Sequence, residues 1–163
     1  MYKILMIAIA LALLGLQEGR CAQPNVGTTT PADTAAPTQI KWQTNYNEAL
    51  QLAGQSHKPL FLFFTGSDWC GWCTKIVQEV FSSPDFIRQM GNSFVFVEVD
   101  FPMGKQVPAD VAEQRANLKR KYDVTGFPTI VLLDSQGNFL AKTGYRPGGG
   151  KAFADYIEQL LAK

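Results

Sequence analysis

Histidine occurs once and cysteine three times in the 163 residues. Both shortages exclude something. A four-ligand zinc site draws on cysteine and histidine, and here it would have to recruit His57 and the remote Cys21 beside the closely spaced Cys70 and Cys73. A disulfide-stapled scaffold needs several cysteine pairs, and the chain has one close pair. Charge is scarce too: charged residues make up 18%, the formal net charge is +1, and no run of five like charges occurs. That balance lacks the basic or acidic patch of a nucleic-acid or membrane-surface binder, so neither is expected as a partner. Long apolar runs are also missing. Ile4–Leu16 is mostly aliphatic but falls short of the roughly twenty residues that cross a hydrocarbon layer.

That run has the length of a signal-peptide core. It follows Lys3 and precedes the small residues Gly19, Cys21 and Ala22, where a peptidase can cut. Residues 1–22 are read as a signal peptide, and the chain as exported. Cys21 keeps two readings open: a lipid attachment site that anchors the chain, or a thiol that is cleaved away or idle. Arg20, bulky and charged, argues against the first. Residues 23–39, QPNVGTTTPADTAAPTQ, contain one valine and no aromatic residue, so they cannot bury enough surface to offset the entropy of folding. They are read as a disordered linker.

Composition changes at Ile40. Eleven phenylalanines and a hydrophobic content of 46% support one core in the domain 40–163, a length of about 120 residues that suits a single domain. Residues 40–44 read as a short strand, and Asn45 with Glu48 has the spacing of a capping box opening a helix to about His57. LFLFFT (60–65) is apolar on both pleat faces, the pattern of a central strand covered on both sides. Apolar residues at 76, 77, 80 and 81 predict a helix over 73–81, and Ser83-Pro84 predicts a second helix with serine as cap and proline first. FVFVEV (94–99) and residues 128–133 read as buried strands and 109–122 as a polar helix. Gln136-Gly137-Asn138 marks a turn into a strand at 139–143, and a last helix ends near Ala162. Alternating helices and apolar strands predict an α/β fold, a mixed central sheet with helices on both faces.

Cys70 and Cys73 fall between a buried strand and a helix, in SDWCGWCT (67–74). At helical positions i and i+3 their Cβ atoms lie about 5–6 Å apart, near enough for a disulfide. Unpaired amides and the helix dipole favour a thiolate at the outer cysteine, and Lys75 adds a nearby cation. Cys70, at the exposed tip, is therefore the expected nucleophile toward a substrate disulfide, and the sheltered Cys73 the thiol that resolves the mixed disulfide. A zinc clamp lacks ligands. A purely structural bond across two residues constrains the unfolded chain too little to be a good staple. Trp72, between the cysteines, is a candidate for substrate contact; Trp69 is read chiefly as a packing residue that can share that platform. In TGFPT (125–129), Pro128 opens a strand expected beside the thiol loop, and Phe127-Pro128 is a candidate cis bond.

WCGWC after a buried strand, followed by TGFPT, a hairpin and a terminal helix, resembles the thioredoxin superfamily from about Ile40 to Lys163. Within it, TGSDWCGWC after an exported leader is similar to bacterial periplasmic Dsb-type disulfide reductases. The resemblance implies a thioredoxin fold, Cys70 as nucleophile, Cys73 as resolving thiol, and Pro128 as a cis-proline whose neighbour Phe127 pairs backbone to backbone with substrate. One departure stands out. Many relatives carry a buried acid six residues before the first cysteine, where this chain has Phe64. Glu98, the sole charge inside its strand, is the alternative proton acceptor, unless it faces water at an edge.

Strongly oxidising members carry histidine where this chain has Trp72. Without that stabilisation of the thiolate the disulfide is the favoured form, which predicts a reductant of extracytoplasmic disulfide proteins. No nicotinamide or flavin site is visible, so no cofactor is expected and electrons are expected from a membrane protein of the reducing pathway. No dimerisation segment is apparent, and a monomer is expected. The competing functions are a disulfide isomerase or thiol oxidase, and, in another class, a thioredoxin-fold binding module that holds unfolded chains without using its cysteines.

Overall fold

The computed structural model describes residues 37–162. The expected signal peptide, Cys21 and nearly all of the linker lie outside the described residues.

The polypeptide runs β1 (Trp42–Gln43), α1 (Tyr46–Ser56), β2 (Leu60–Thr65), α2 (Gly71–Ile76), a π turn (Val77–Phe81) that continues α2, α3 (Pro84–Met90), β3 (Val95–Asp100), α4 (Ala109–Lys121), β4 (Thr129–Leu133), β5 (Phe139–Gly144) and α5 (Gly149–Leu161). The strands form one sheet in the order β1-β3-β2-β4-β5. β1 and β2 lie parallel to β3, β4 is antiparallel to β2, and β5 is antiparallel to β4. This is the mixed sheet expected from the sequence.

The period of two along β2 explains its lack of polar residues. Phe61 and Phe63 point into a core shared with Ile76, Phe81, Phe86 and Phe153, while Leu60, Leu62 and Phe64 point into another shared with Ala49, Ala53, Leu118 and Tyr122. Helices α2, α3 and α5 therefore cover one face, α1 and α4 the other. The first core is largely aromatic: Phe61 packs edge-on against Trp42, Phe81, Phe86 and Phe94, with ring centroids 5.7–6.3 Å apart, the arrangement that ring quadrupoles favour.

Local chemistry accounts for the element ends. Asn45 caps α1, accepting bonds from the amides of Asn47 (3.0 Å) and Glu48 (3.3 Å), and His57 closes the helix in the left-handed conformation at φ 54°. Gly148 and Gly149, at φ 122° and 77°, turn the chain into α5 where a side chain would be strained.

Three expectations need correction. β1 spans only Trp42–Gln43 because it pairs with just Phe96 and Val97, and Ile40 is buried in the core instead. The helix begins at Gly71, with Cys70 next to its first position as expected, but the ordinary helix expected through Phe81 widens in its second half into the π turn. That turn buries Val80 and Phe81 and leaves Val77 partly exposed. Ser83 occupies the cap position of α3 with Pro84 following, but its hydroxyl makes no capping bond.

Candidate active site

Cys70 is the N-cap of α2, its backbone extended at φ −92° and ψ 99°. Its sulfur is bonded to that of Cys73, with Cα atoms 5.2 Å apart, so the two thiols are within bonding reach as their spacing predicts. The Cys73 N–H donates to Cys70 Sγ at 3.2 Å. That amide also donates to the Cys70 carbonyl at 3.0 Å, so it is shared between the two acceptors; its place in the first turn of the helix still favours a thiolate at the outer sulfur once the bond opens. Cys70 is less exposed than its place at the tip implied: it keeps 8% of its surface, Cys73 2%. The inequality between them survives the correction.

Beneath Cys73 is a cavity of about 320 Å³ lined by Phe63, Thr65, Cys73, Thr74, Val77 and Glu98. Glu98 reaches it through strand register: Glu98 pairs with Phe63, and register mates share a face, here the Cys73 face. Phe64, at the position where the family resemblance implies an acid, belongs to the opposite core. Burial pushes the Glu98 carboxyl above the usual range and Asp100 adds to the rise, while Arg115 and Lys105 pull against it. Glu98 is half-buried, just beyond the two residues of β3 that β1 covers, and so lies between the buried position and the water-facing edge weighed from the sequence.

The Phe127–Pro128 peptide bond is cis and directly precedes β4. Phe127 lies under two other rings, Trp69 edge-on at 5.7 Å and Phe101 stacked at 5.2 Å. Trp69 both packs and remains 45% exposed, and its Nε1–H donates to the Phe101 carbonyl at 2.7 Å. Gly66 makes room for it, since a Cβ at 66 would collide with the indole. Trp72 is 59% exposed. It lies against Tyr145 at 5.5 Å, and Lys75 sits over both rings, 5.3 and 5.6 Å from their centroids. Lys75 also pairs with Glu79 at 3.7 Å, and the Tyr145 hydroxyl donates to Glu79 at 2.5 Å. The cation expected to serve the thiolate is engaged with Trp72 instead.

Tyr145, Phe101, Asp68 and Asp100 complete this surface and were not singled out in the sequence. Asp68 and Asp100 carried a weak signal, as acids flanking an otherwise apolar strand and a thiol motif. Tyr145 carried none, because its neighbours come from α2.

A cystine capping a helix, a cis-proline loop against it and a mixed sheet covered on both faces define a thiol-disulfide oxidoreductase of thioredoxin fold. Residues 46–161 match the thioredoxin-like domain family, and the chain belongs to it. The chain is 39% identical over 142 residues to the disulfide bond reductase DsbH of Chlamydia pneumoniae, covering 87% of this chain and 83% of that one. It is 33% identical to the thioredoxin-related protein DsbJ of the same organism, over 83% of this chain and 41% of DsbJ. A solved DsbH oxidoreductase structure superposes with a TM-score of 0.73 at 39% identity, covering 88% of this chain and 96% of that one.

Proposed function

We propose that the chain is an exported reductase of protein disulfides in the periplasm, working through Cys70 and Cys73. The Cys70 thiolate attacks a substrate disulfide, forming a mixed disulfide and expelling one substrate thiolate. Cys73 then loses its proton to Glu98 across the shared cavity and attacks Cys70 Sγ. The second substrate thiol leaves with both electrons, and the enzyme disulfide remains. A membrane protein of the reducing pathway returns two electrons. Trp69, Trp72 and Phe127 hold the substrate, Phe127 through its backbone beside Pro128. Export rests on the leader at residues 1–22, with cleavage favoured over a lipid anchor at Cys21. The domain acts as a monomer.

The observation that carries this reading is Cys70 at the N-cap of α2 with the Cys73 amide donating to its sulfur, which supports Cys70 as the attacking thiolate. The direction of electron flow is supported by Trp72. An indole before the second cysteine gives the thiolate no charge stabilisation, which favours the disulfide and lowers the potential. The name of the DsbH relative, a disulfide bond reductase, agrees.

The test is insulin reduction with dithiothreitol as electron source, together with equilibration in glutathione buffer. Wild type is expected to reduce insulin, Cys70→Ala to lose that activity, and Cys73→Ser to accumulate a mixed disulfide. A potential far below the roughly −120 mV of strong oxidants is expected. An unchanged Cys70→Ala protein would point to a binding module, and a potential near that of the oxidants would reverse the direction.

A further inference from the structure

The thiol loop is joined to the β3–α4 loop by bonds that the sulfur chemistry does not require. Ser67 donates to Asp100 twice, from its amide at 2.8 Å and its hydroxyl at 2.7 Å. Asp68 reaches the other way: Oδ1 accepts the Met103 amide at 3.0 Å and Oδ2 the Gly104 amide at 2.7 Å. With the Trp69 bond to Phe101, three consecutive residues ahead of Cys70 each hold the segment 100–104. Bonds from amides to an ionised carboxylate are among the stronger kinds, and the Met103 and Gly104 amides hold Asp68 below the usual carboxylate range. Gly104 fits closely, since a Cβ there would lie 3.2 Å from Asp68 Oδ2.

The segment so held carries Phe101 and Met103 on either side of Pro102. Phe101 stacks on Phe127, and Lys119 lies 5.8 and 5.5 Å from those two ring centroids. Met103 is 79% exposed, the most open large apolar residue among those described. An exposed methionine on a surface loop is suited to irregular partners, because its thioether side chain is flexible and polarizable. Trp69, next to Cys70 in the chain, bonds the Phe101 carbonyl two residues before Met103 and so links this segment to the thiol loop.

We propose that Asp68 is a positioning residue for protein substrates, fixing the 101–104 segment against the thiol loop so that Met103 forms an apolar, deformable lip beside Trp69 and Phe127. The lip receives the polypeptide flanking the target disulfide, which makes loosely folded proteins the substrate class. This rests on the reductase reading above. Asp68 takes no part in electron or proton transfer, so its loss acts on substrate affinity.

The experiment compares insulin with oxidised glutathione, which carries only a tripeptide on each sulfur and no protein chain around its disulfide. Asp68→Asn and Asp68→Ala are expected to raise KM for insulin about five- to tenfold, with kcat and redox potential held. The glutathione rate is expected to stay within about twofold. Hydrogen exchange is expected to show the Met103 and Gly104 amides losing protection. Met103→Ser, at an exposed position that does not endanger folding, is expected to raise the insulin KM about threefold. Equal losses on both substrates would make Asp68 part of the thiol chemistry and overturn the proposal. So would an unchanged insulin KM in Met103→Ser, even if the Asp68 variants fail to fold. A wild type that turns over glutathione but leaves insulin intact sinks the reductase reading and this proposal together; an active wild type with variants like it sinks this proposal alone.

Discussion

Burial opposes ionisation of Glu98, and the consequence for stability has a definite sign. Its folded-state pKa lies above the unfolded value, with desolvation first and Asp100 second among the causes. Between those two values the folded chain holds more protons than the unfolded chain, so stability falls as pH rises through that window. The cost of the buried charge is fully present above the folded pKa. Glu98→Gln removes it. The variant is expected to melt at a higher temperature than wild type at pH 7 and to match it near pH 4, about where an unperturbed carboxyl takes up its proton. If Glu98 accepts the Cys73 proton, the same substitution flattens the pH profile of insulin reduction. Equal melting temperatures at pH 7 with an unaltered profile would remove Glu98 from both roles. The residue itself was visible in the sequence as a lone charge in FVFVEV; the cavity it shares with Cys73 was not, because that needs the register of β3 against β2.

At the scale of elements, the two serine- and asparagine-headed helices make a controlled comparison. Asn45 accepts two amides at the head of α1, whereas Ser83 makes no capping bond at the head of α3. Chemical denaturation should therefore find Asn45→Ala about 1 kcal/mol less stable and Ser83→Ala within about 0.5 kcal/mol of wild type. A larger loss at Ser83 would show that its contact near Gly150 of α5, and not the cap position, matters. The sequence placed both helix starts correctly since caps and Pro84 act locally, yet it could not tell a bonded cap from an unbonded one. The π turn escaped for a similar reason: apolar residues at 76, 77, 80 and 81 fit an ordinary helix, and only packing of Val80 and Phe81 into the aromatic core displaces Val77 to the cavity rim.

Across the whole molecule, the surface around the cystine is rich in aromatic side chains, and several of its charges are paired or bonded. Lys75 pairs with Glu79, and Asp68 and Asp100 accept bonds from the neighbouring loops. With a formal net charge of +1, little electrostatic steering of a partner is expected. Raising ionic strength from about 0.05 to 0.5 M is expected to change kcat/KM for insulin by less than about twofold, whereas electrostatic steering accelerates association tenfold or more. A steep fall with salt would mean that a charged surface, and not the aromatic rim, captures substrate.

The sequence by itself determined the two-faced strands, the order of helices and strands, the placement of Cys70 and Cys73 at a helix start and the proline at the head of β4. Each of these is written in neighbouring residues, through periodicity, caps and the backbone limits of proline. Only the tertiary structure decided that Glu98 and Cys73 share a cavity, that Phe127 lies beneath Trp69 and Phe101, and that Asp68 holds an amide 35 residues away. Those pairings depend on strand register and loop approach, which arise when the two cores close on the sheet and have no counterpart in local sequence.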